Sequence, residues 1–239
     1  MRERCLIVSS DTCGLARVAV RSVLKHAKAL EPIVLFTGAN PDAFDAFRKS
    51  GEAEVLDVPS ELLRGCGRDH GTALDWYLEA GLPTDAERVW FLDSDAQLVS
   101  DGAVEYWRSG DPDLMGTEFN RDGTYTYARP VFMMVHRRLL NRMHGPCCFS
   151  LPSGEHYPRH EDDLPVAWDT CELLTIACRR VGGFLRMAAS IGKEWRGLTC
   201  QVFGGPDPMV VHLGRGSRSE DHEEREAEWI EASDGADTA

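Results

Sequence analysis

The chain has 239 residues, of which 43% are hydrophobic and 27% are charged. These proportions are typical of a globular protein, and the length fits one domain with a sizeable core. No run of about 18 apolar residues occurs, so we predict no transmembrane segment. The net charge of −13 argues against nucleic acid as a partner, because its phosphate backbone is itself negative.

The cysteines and the first residues point to a cellular compartment. The eight cysteines include no Cys-x-x-Cys pair, and most of them lie in apolar segments. Met1 is followed by charged residues rather than by an apolar leader. We therefore predict reduced cysteines and a cytoplasmic location.

The first hundred residues alternate between strand and helix patterns. They predict strands at residues 5–8, 32–37, 53–58 and 89–92, and helices at about 14–30, across Phe44 and Phe47, and at about 70–80. Four strands that alternate with three helices favour an α/β fold in which helices flank a mostly parallel sheet, here within a single domain.

The second half is less regular. Its patterns predict one or two strands at 125–136 interrupted by Pro130, a helical turn at 137–143, a helix at 170–181, and a strand at 208–211 that ends on His212. Residues 145–167 have little periodicity and predict a long loop, of the kind that is usually functional or mobile.

Two aspartates directly follow the fourth apolar run. Residues 89–92 predict a strand buried on both faces, and Asp93 and Asp95 lie on the turn that leaves it. Ligands bind at the carboxyl ends of such strands in open α/β sheets. Neighbouring carboxylates disfavour double ionisation unless a cation lies between them. The pair is therefore either a site for a divalent ion bound to a diphosphate or a turn whose aspartates cap the next helix.

Several short motifs are spread along residues 4–217, and together they resemble those of the GT-A-fold glycosyltransferases, and among these the non-processive enzymes of the family-two type. Asp93-Ser94-Asp95 matches the Asp-x-Asp motif in its usual place after the fourth strand. Ser9-Ser10-Asp11 resembles the loop that cradles the nucleotide base, and the stretch from His70 to Asp75 resembles the helix start that faces the nucleotide.

Two further motifs lie in the second half of the chain. Trp168-Asp169-Thr170 resembles the segment that carries the catalytic carboxylate, and His212-Leu213-Gly214 resembles the late histidine of the metal site. A plain helix cap at Asp169 and a structural core histidine at His212 are the alternatives.

The resemblance implies a metal-dependent enzyme that moves one sugar from a nucleoside-diphosphate sugar to an acceptor hydroxyl. Asp93, Asp95 and His212 would hold the metal ion, with Asp95 as the direct ligand and Asp93 acting through water or toward the ribose. A histidine nitrogen favours Mn²⁺ over Mg²⁺. The nucleotide-binding residues would be Ser9, Ser10, Asp11, His70, Asp75, Asp93 and Ser94. A UDP-sugar is the favoured donor, and a GDP-sugar is next.

For the acceptor, the resemblance implies Asp169 as the base of an inverting transfer, with Arg129 and Trp168 contacting a small-molecule, glycan or peptide acceptor. The usual Glu-Asp pair of the family is Trp168-Asp169 here, so a retaining mechanism stays open. The Gln-x-x-Arg-Trp signature of processive members is absent. We therefore expect transfer of single sugars.

We divide the chain into a catalytic domain at residues 1–217 and an acidic, partly disordered tail at 218–239. Within the domain, about 1–100 would bind the nucleotide and 101–217 the acceptor. The tail sequence predicts a helix around 223–231, which would dock on the domain through Trp229 and Ile230. Two alternatives remain, namely a nucleotidyltransferase acting on a sugar phosphate and a non-catalytic protein that binds nucleotide sugars.

Overall fold

Eleven strands and seven α-helices are found in the residues that the computed structural model describes, which are 3–10, 13–38, 41–63, 69–80, 86–121, 125–143, 171–214 and 222–234. The strands are β1 (Glu3–Ser9), β2 (Leu30–Phe36), β3 (Glu54–Asp57), β4 (Arg88–Leu92), β5 (Ala96–Leu98), β6 (Leu114–Arg121), β7 (Tyr125–His136), β8 (Leu185–Ala188), β9 (Ser190–Trp195), β10 (Leu198–Gly204) and β11 (Pro208–His212). The helices are α1 (Cys13–His26), α2 (Asp45–Ser50), α3 (Asp69–Ala80), α4 (Ala103–Arg108), α5 (Arg137–Arg142), α6 (Glu172–Arg180) and α7 (His222–Asp234).

A seven-stranded sheet forms the centre of the fold, in the order β3-β2-β1-β4-β7-β6-β8. All of its strands run in one direction except β7, which is antiparallel to both of its neighbours. Side chains alternate across the sheet. Cys5 and Ile7 pack on the side of α1, α2 and α4, whereas Leu6 and Val8 pack on the side of α3, α5 and α6. The predicted α/β fold, a mostly parallel sheet flanked by helices, is confirmed.

A second, antiparallel sheet has the order β5-β11-β10-β9. Its inner residues Val202 and Val211 pack with Leu15 and Val18 of α1 and with Trp229 of α7. The sequence patterns predicted β11 but not β5, β9 or β10. Strand β9 shows why, because its exposed residues do not alternate with buried ones and so leave no strand pattern.

Two element boundaries differ from the sequence-based expectation. Helix α1 ends at His26 rather than near residue 30, because Leu30 is buried and pairs with Glu3 as the first residue of β2. Strand β7 runs as one strand through Pro130, since the ladder with β6 shifts register between Met115 and Thr117 beside it. A proline has no N–H to donate, and a bulge is where a strand tolerates it.

The predicted C-terminal helix is α7, and both predicted residues dock. Trp229 is fully buried and its ring lies 5.8 Å from that of Trp195. Ile230 lies so close to Gly14 that a Cβ on Gly14 would be 2.8 Å from its Cδ1. The rest of the acidic tail and the loop predicted at 145–167 lie outside the described residues. None of the helices formed by the described residues is long and apolar enough to cross a lipid bilayer.

Candidate functional site

The pairing of β5 with β11 in the small sheet brings the Asp-x-Asp turn to His212. The turn follows β4, and its backbone is held by hydrogen bonds from Asp93 N to Val131 O (3.2 Å) and from Ala96 N to Asp93 O (3.0 Å). Ala96 begins β5, and β5 pairs with β11 so that Ala96 lies opposite His212. Beyond β11, Leu213 N donates to Asp95 O (2.9 Å). Backbone pairing therefore fixes the turn and the histidine relative to each other.

The side chains of Asp93, Asp95 and His212 meet at this point. His212 Nε2 lies 3.1 Å from Asp95 Oδ1 and 3.7 Å from Asp93 Oδ2. One ligand atom from each residue lies within 4.8 Å of the other two. All three side chains are largely buried, with His212 4% exposed and the aspartates 13% and 16%. Two carboxylates and an imidazole at this spacing could hold a divalent ion.

The charges around His212 shift its pKa. Burial alone lowers the pKa of His212, but the charge and hydrogen bond of Asp95, together with the charge of Asp93, outweigh burial and raise it overall. The positive charge of Arg129 opposes that rise. With no cation beside it, the imidazole holds a proton more readily than usual. A metal ion would take the place of that proton, because ligating histidines are neutral.

The hydrogen bonds around the group fit a cation. Asp93 Oδ1 is buried and has no hydrogen-bond partner among the described residues, which is costly for a carboxylate oxygen. His212 Nδ1 lies 3.0 Å from Gln201 Oε1. An amide oxygen only accepts, so Nδ1 carries the proton and a neutral ring turns the lone pair of Nε2 toward the carboxylates. A divalent ion would satisfy all of these groups.

Sequence reasoning did not identify Gln201. Its place beside the histidine comes from the pairing of β10 with β11, in which Gln201 lies opposite His212. Since β10 itself was not predicted, no signal in the sequence distinguished this glutamine from any other.

Two of the predicted nucleotide-binding residues, Ser9 and His70, lie around the same edge of the large sheet. His70 stands at the start of α3, with Nε2 3.7 Å from Asp93 Oδ1. Ser9 is buried at the end of β1, and its carbonyl accepts a hydrogen bond from Thr37 N (2.9 Å) just after β2. The ends of β1, β2 and β4 thus adjoin, as a nucleotide site in this kind of sheet requires.

The positions of the remaining predicted residues say less about their roles. Ser10 is exposed after β1, and Ser94 is partly exposed between the two aspartates. Asp75 is buried within α3 and is not one of the three residues that could hold a metal ion. Asp11, Trp168 and Asp169 lie outside the described residues, so their predicted roles stay predictions.

Arg129, predicted to contact the acceptor, lies on β7. Its guanidinium Cζ is 4.7 Å from the ring centroid of Phe119, and its charge acts on His212. Arg129 is two residues before Val131, whose carbonyl oxygen accepts a hydrogen bond from Asp93 N, so its strand passes the turn that holds Asp93 and Asp95.

We predict that Gln201→Leu weakens Mn²⁺ binding about 10- to 100-fold, because losing the partner of a ligating histidine frees its ring orientation and tautomer. Titration calorimetry with Mn²⁺ measures this. The matched control is Gln97→Leu, since Gln97 belongs to the same small sheet but donates to Ser233 Oγ on α7 instead. Equal Mn²⁺ affinities in Gln201→Leu and in the unmodified protein would contradict the assignment.

No protein-family model matches the sequence, and no curated protein matches it. Among solved structures, the apo-form glycosyltransferase GlyE of Streptococcus pneumoniae is similar at 13% identity, with a TM-score of 0.53 over 98% of this chain and 60% of that one. A second structure of GlyE gives 12% identity, the same coverage and a TM-score of 0.52. The chain therefore spans about 60% of the length of GlyE.

A glucosyl-3-phosphoglycerate synthase from Mycobacterium tuberculosis, in complex with Mn²⁺ and UDP, matches a smaller share of this chain. It is 19% identical, with a TM-score of 0.43 over 59% of each chain. A likeness of this extent supports no inference about either ligand here. The likeness to GlyE shows the fold, and it confirms the resemblance at that level: the chain has the fold of the GT-A glycosyltransferases.

Proposed function

We propose that this protein is a metal-dependent glycosyltransferase that moves one sugar from a nucleoside-diphosphate sugar to an acceptor hydroxyl. The Asp93–Asp95–His212 group supports this proposal most strongly. It lies at the carboxyl end of β4, a central strand of the large sheet, where α/β folds bind their ligands. The GT-A fold makes a nucleotide sugar the natural ligand of that edge.

The metal ion that suits this group best is Mn²⁺. Asp93 and Asp95 offer oxygen and His212 offers nitrogen, a mixed set that Mn²⁺ accepts more readily than Mg²⁺ does. When bound, the ion would stabilise the negative charge of the departing diphosphate. The protein's own part is to hold the three ligands in place, with Asp93 and Asp95 on the turn between β4 and β5 and with His212 at the end of β11, which pairs with β5.

The nucleotide would lie across the ends of β1, β2 and β4. Ser9 and the backbone after it would face the base, and His70 at the start of α3 would face the phosphates or ribose, since its Nε2 lies 3.7 Å from Asp93 Oδ1. Uracil is the base that we favour, with guanine next. We also propose that Ser10, Asp11, Asp75 and Ser94 contact the nucleotide, on the basis of their motifs alone.

The reaction would join the acceptor oxygen to the anomeric carbon of the sugar. The bond from that carbon to the diphosphate oxygen breaks, and its electron pair leaves with the nucleoside diphosphate. The proton of the acceptor hydroxyl would pass to the carboxylate of Asp169, which would act as general base. Base and leaving group on opposite sides of the sugar would invert its anomeric configuration.

We predict that Asp95→Asn abolishes metal-dependent release of nucleoside diphosphate while the fold is kept, because the amide has the carboxylate's shape without its charge. The assay supplies Mn²⁺ with UDP- and GDP-sugars and measures the nucleoside diphosphate released. The matched control is Asp207→Asn, an exposed aspartate on the turn before β11. Wild-type turnover in Asp95→Asn would contradict the metal assignment. Release of pyrophosphate instead of nucleoside diphosphate would favour a nucleotidyltransferase.

We further predict that the product has the anomeric configuration opposite to that of the donor, and that Asp169→Asn lowers transfer about 100-fold or more without weakening nucleotide binding. Proton NMR of the product at early times reads the anomer directly, and calorimetry reads the nucleotide affinity. A product that retains the donor configuration would reject Asp169 as the base of an inverting transfer.

A further inference from the structure

The strand β7 carries Arg129 past the end of β4 and alongside the Asp-x-Asp turn. Leu92, the last residue of β4, lies opposite Phe132, and Asp93 N donates to Val131 O (3.2 Å). Because β7 is antiparallel to β4, Arg129, two residues before Val131 on β7, lies beyond the end of β4. It therefore stands at the edge of the sheet that holds Asp93, Asp95 and His212.

The guanidinium of Arg129 is held in place by the neighbouring strand. Arg129 pairs with Thr117 of β6, and its Cζ lies 4.7 Å from the ring centroid of Phe119. That ring in turn packs on the fully buried Tyr127, with 5.3 Å between the ring centroids. Stacking on a packed ring restricts the rotamers of an arginine, so less freedom is lost when it binds a ligand.

The two strands approach closely beside Arg129 because β6 has a glycine there. A Cβ on Gly116 would lie 2.9 Å from Ala128 Cβ and 3.0 Å from Arg129 O. The irregularity between Met115 and Thr117 also interrupts the ladder between β6 and β7 at this point. The position of Arg129 is thus set by backbone packing.

The charges at the site call for a cation besides the metal ion. The carboxylates of Asp93 and Asp95 and a divalent ion add to zero, so they leave the negative charges of a nucleoside diphosphate uncompensated. An arginine is permanently charged, and its planar fork matches two phosphate oxygens.

We infer that Arg129 binds the diphosphate of the donor and is a binding residue of the donor site rather than of the acceptor site. This inference rests on the proposed function, because it takes a nucleoside diphosphate as the ligand. It assigns Arg129 two opposite effects. The positive charge repels a metal ion that binds alone, and it attracts a metal ion that arrives with a diphosphate.

The test measures Mn²⁺ alone, UDP with saturating Mn²⁺, and uridine, in the unmodified protein and in Arg129→Gln. We expect Arg129→Gln to bind Mn²⁺ alone about threefold more tightly, because a like charge is removed. It should bind UDP at least about tenfold more weakly, the usual effect of losing a charge-assisted hydrogen bond. Uridine, which has no phosphate, should bind both proteins equally.

Two further variants separate charge from structure. Arg129→Lys keeps the charge but not the planar fork, so its Mn²⁺ affinity should stay that of the unmodified protein and its UDP affinity should lie between the other two. Arg186→Gln is the matched control, because Arg186 also stacks on an aromatic ring, that of Tyr106, but lies on β8. It should change neither affinity.

Opposite shifts of the two affinities in Arg129→Gln would support the inference. Parallel losses of Mn²⁺ and UDP binding would show a structural role and overturn it. Unchanged UDP binding combined with poorer use of the acceptor would also overturn it, in favour of an acceptor contact. If the unmodified protein binds Mn²⁺ but neither UDP nor GDP, the proposed function fails, and the inference fails with it.

Discussion

The repulsion between two carboxylates that share one turn is the constraint on which the site depends. Asp93 and Asp95 are both largely buried, where two negative charges without a cation are costly. His212 relieves that cost as an imidazolium, which is why its pKa is raised in spite of burial. A divalent ion relieves it more fully, and it also satisfies Asp93 Oδ1, which accepts no hydrogen bond from the described residues. The turn is therefore arranged for a cation.

The small second sheet explains how residues more than a hundred positions apart reach this turn. Strand β5 begins directly after Asp95, and its pairing with β11 places His212 opposite Ala96. Strand β10 then places Gln201 opposite His212, where its amide oxygen fixes the ring. Helix α7 covers this sheet through the buried Trp229. The ligand set is thus a product of strand register, in which a slip of one residue would turn His212 away.

The parts of the fold that the sequence predicted are those with strong local patterns. The apolar runs at β1, β2 and β4 and the periodicity of α1, α3 and α6 are each readable within one element. Asp93, Asp95 and His212 were found because each follows such a run. Strand β5 has three residues and is paired with the distant β11, and β9 is exposed, so neither leaves a pattern within one element. Gln201 was missed because its place opposite His212 depends on the pairing of β10 with β11, and the position of Arg129 was missed because it depends on the pairing of β7 with β4 and β6.

The most direct test of a metal-dependent nucleotide site is thermal unfolding with UDP, in the presence of Mn²⁺ and then of excess chelator. A ligand at a hundred times its dissociation constant adds about 2.7 kcal/mol to the free energy of unfolding, which raises the melting temperature by several degrees. The account predicts that rise with Mn²⁺ and none with chelator. An equal rise in both conditions, or no rise with any nucleoside diphosphate, would contradict it.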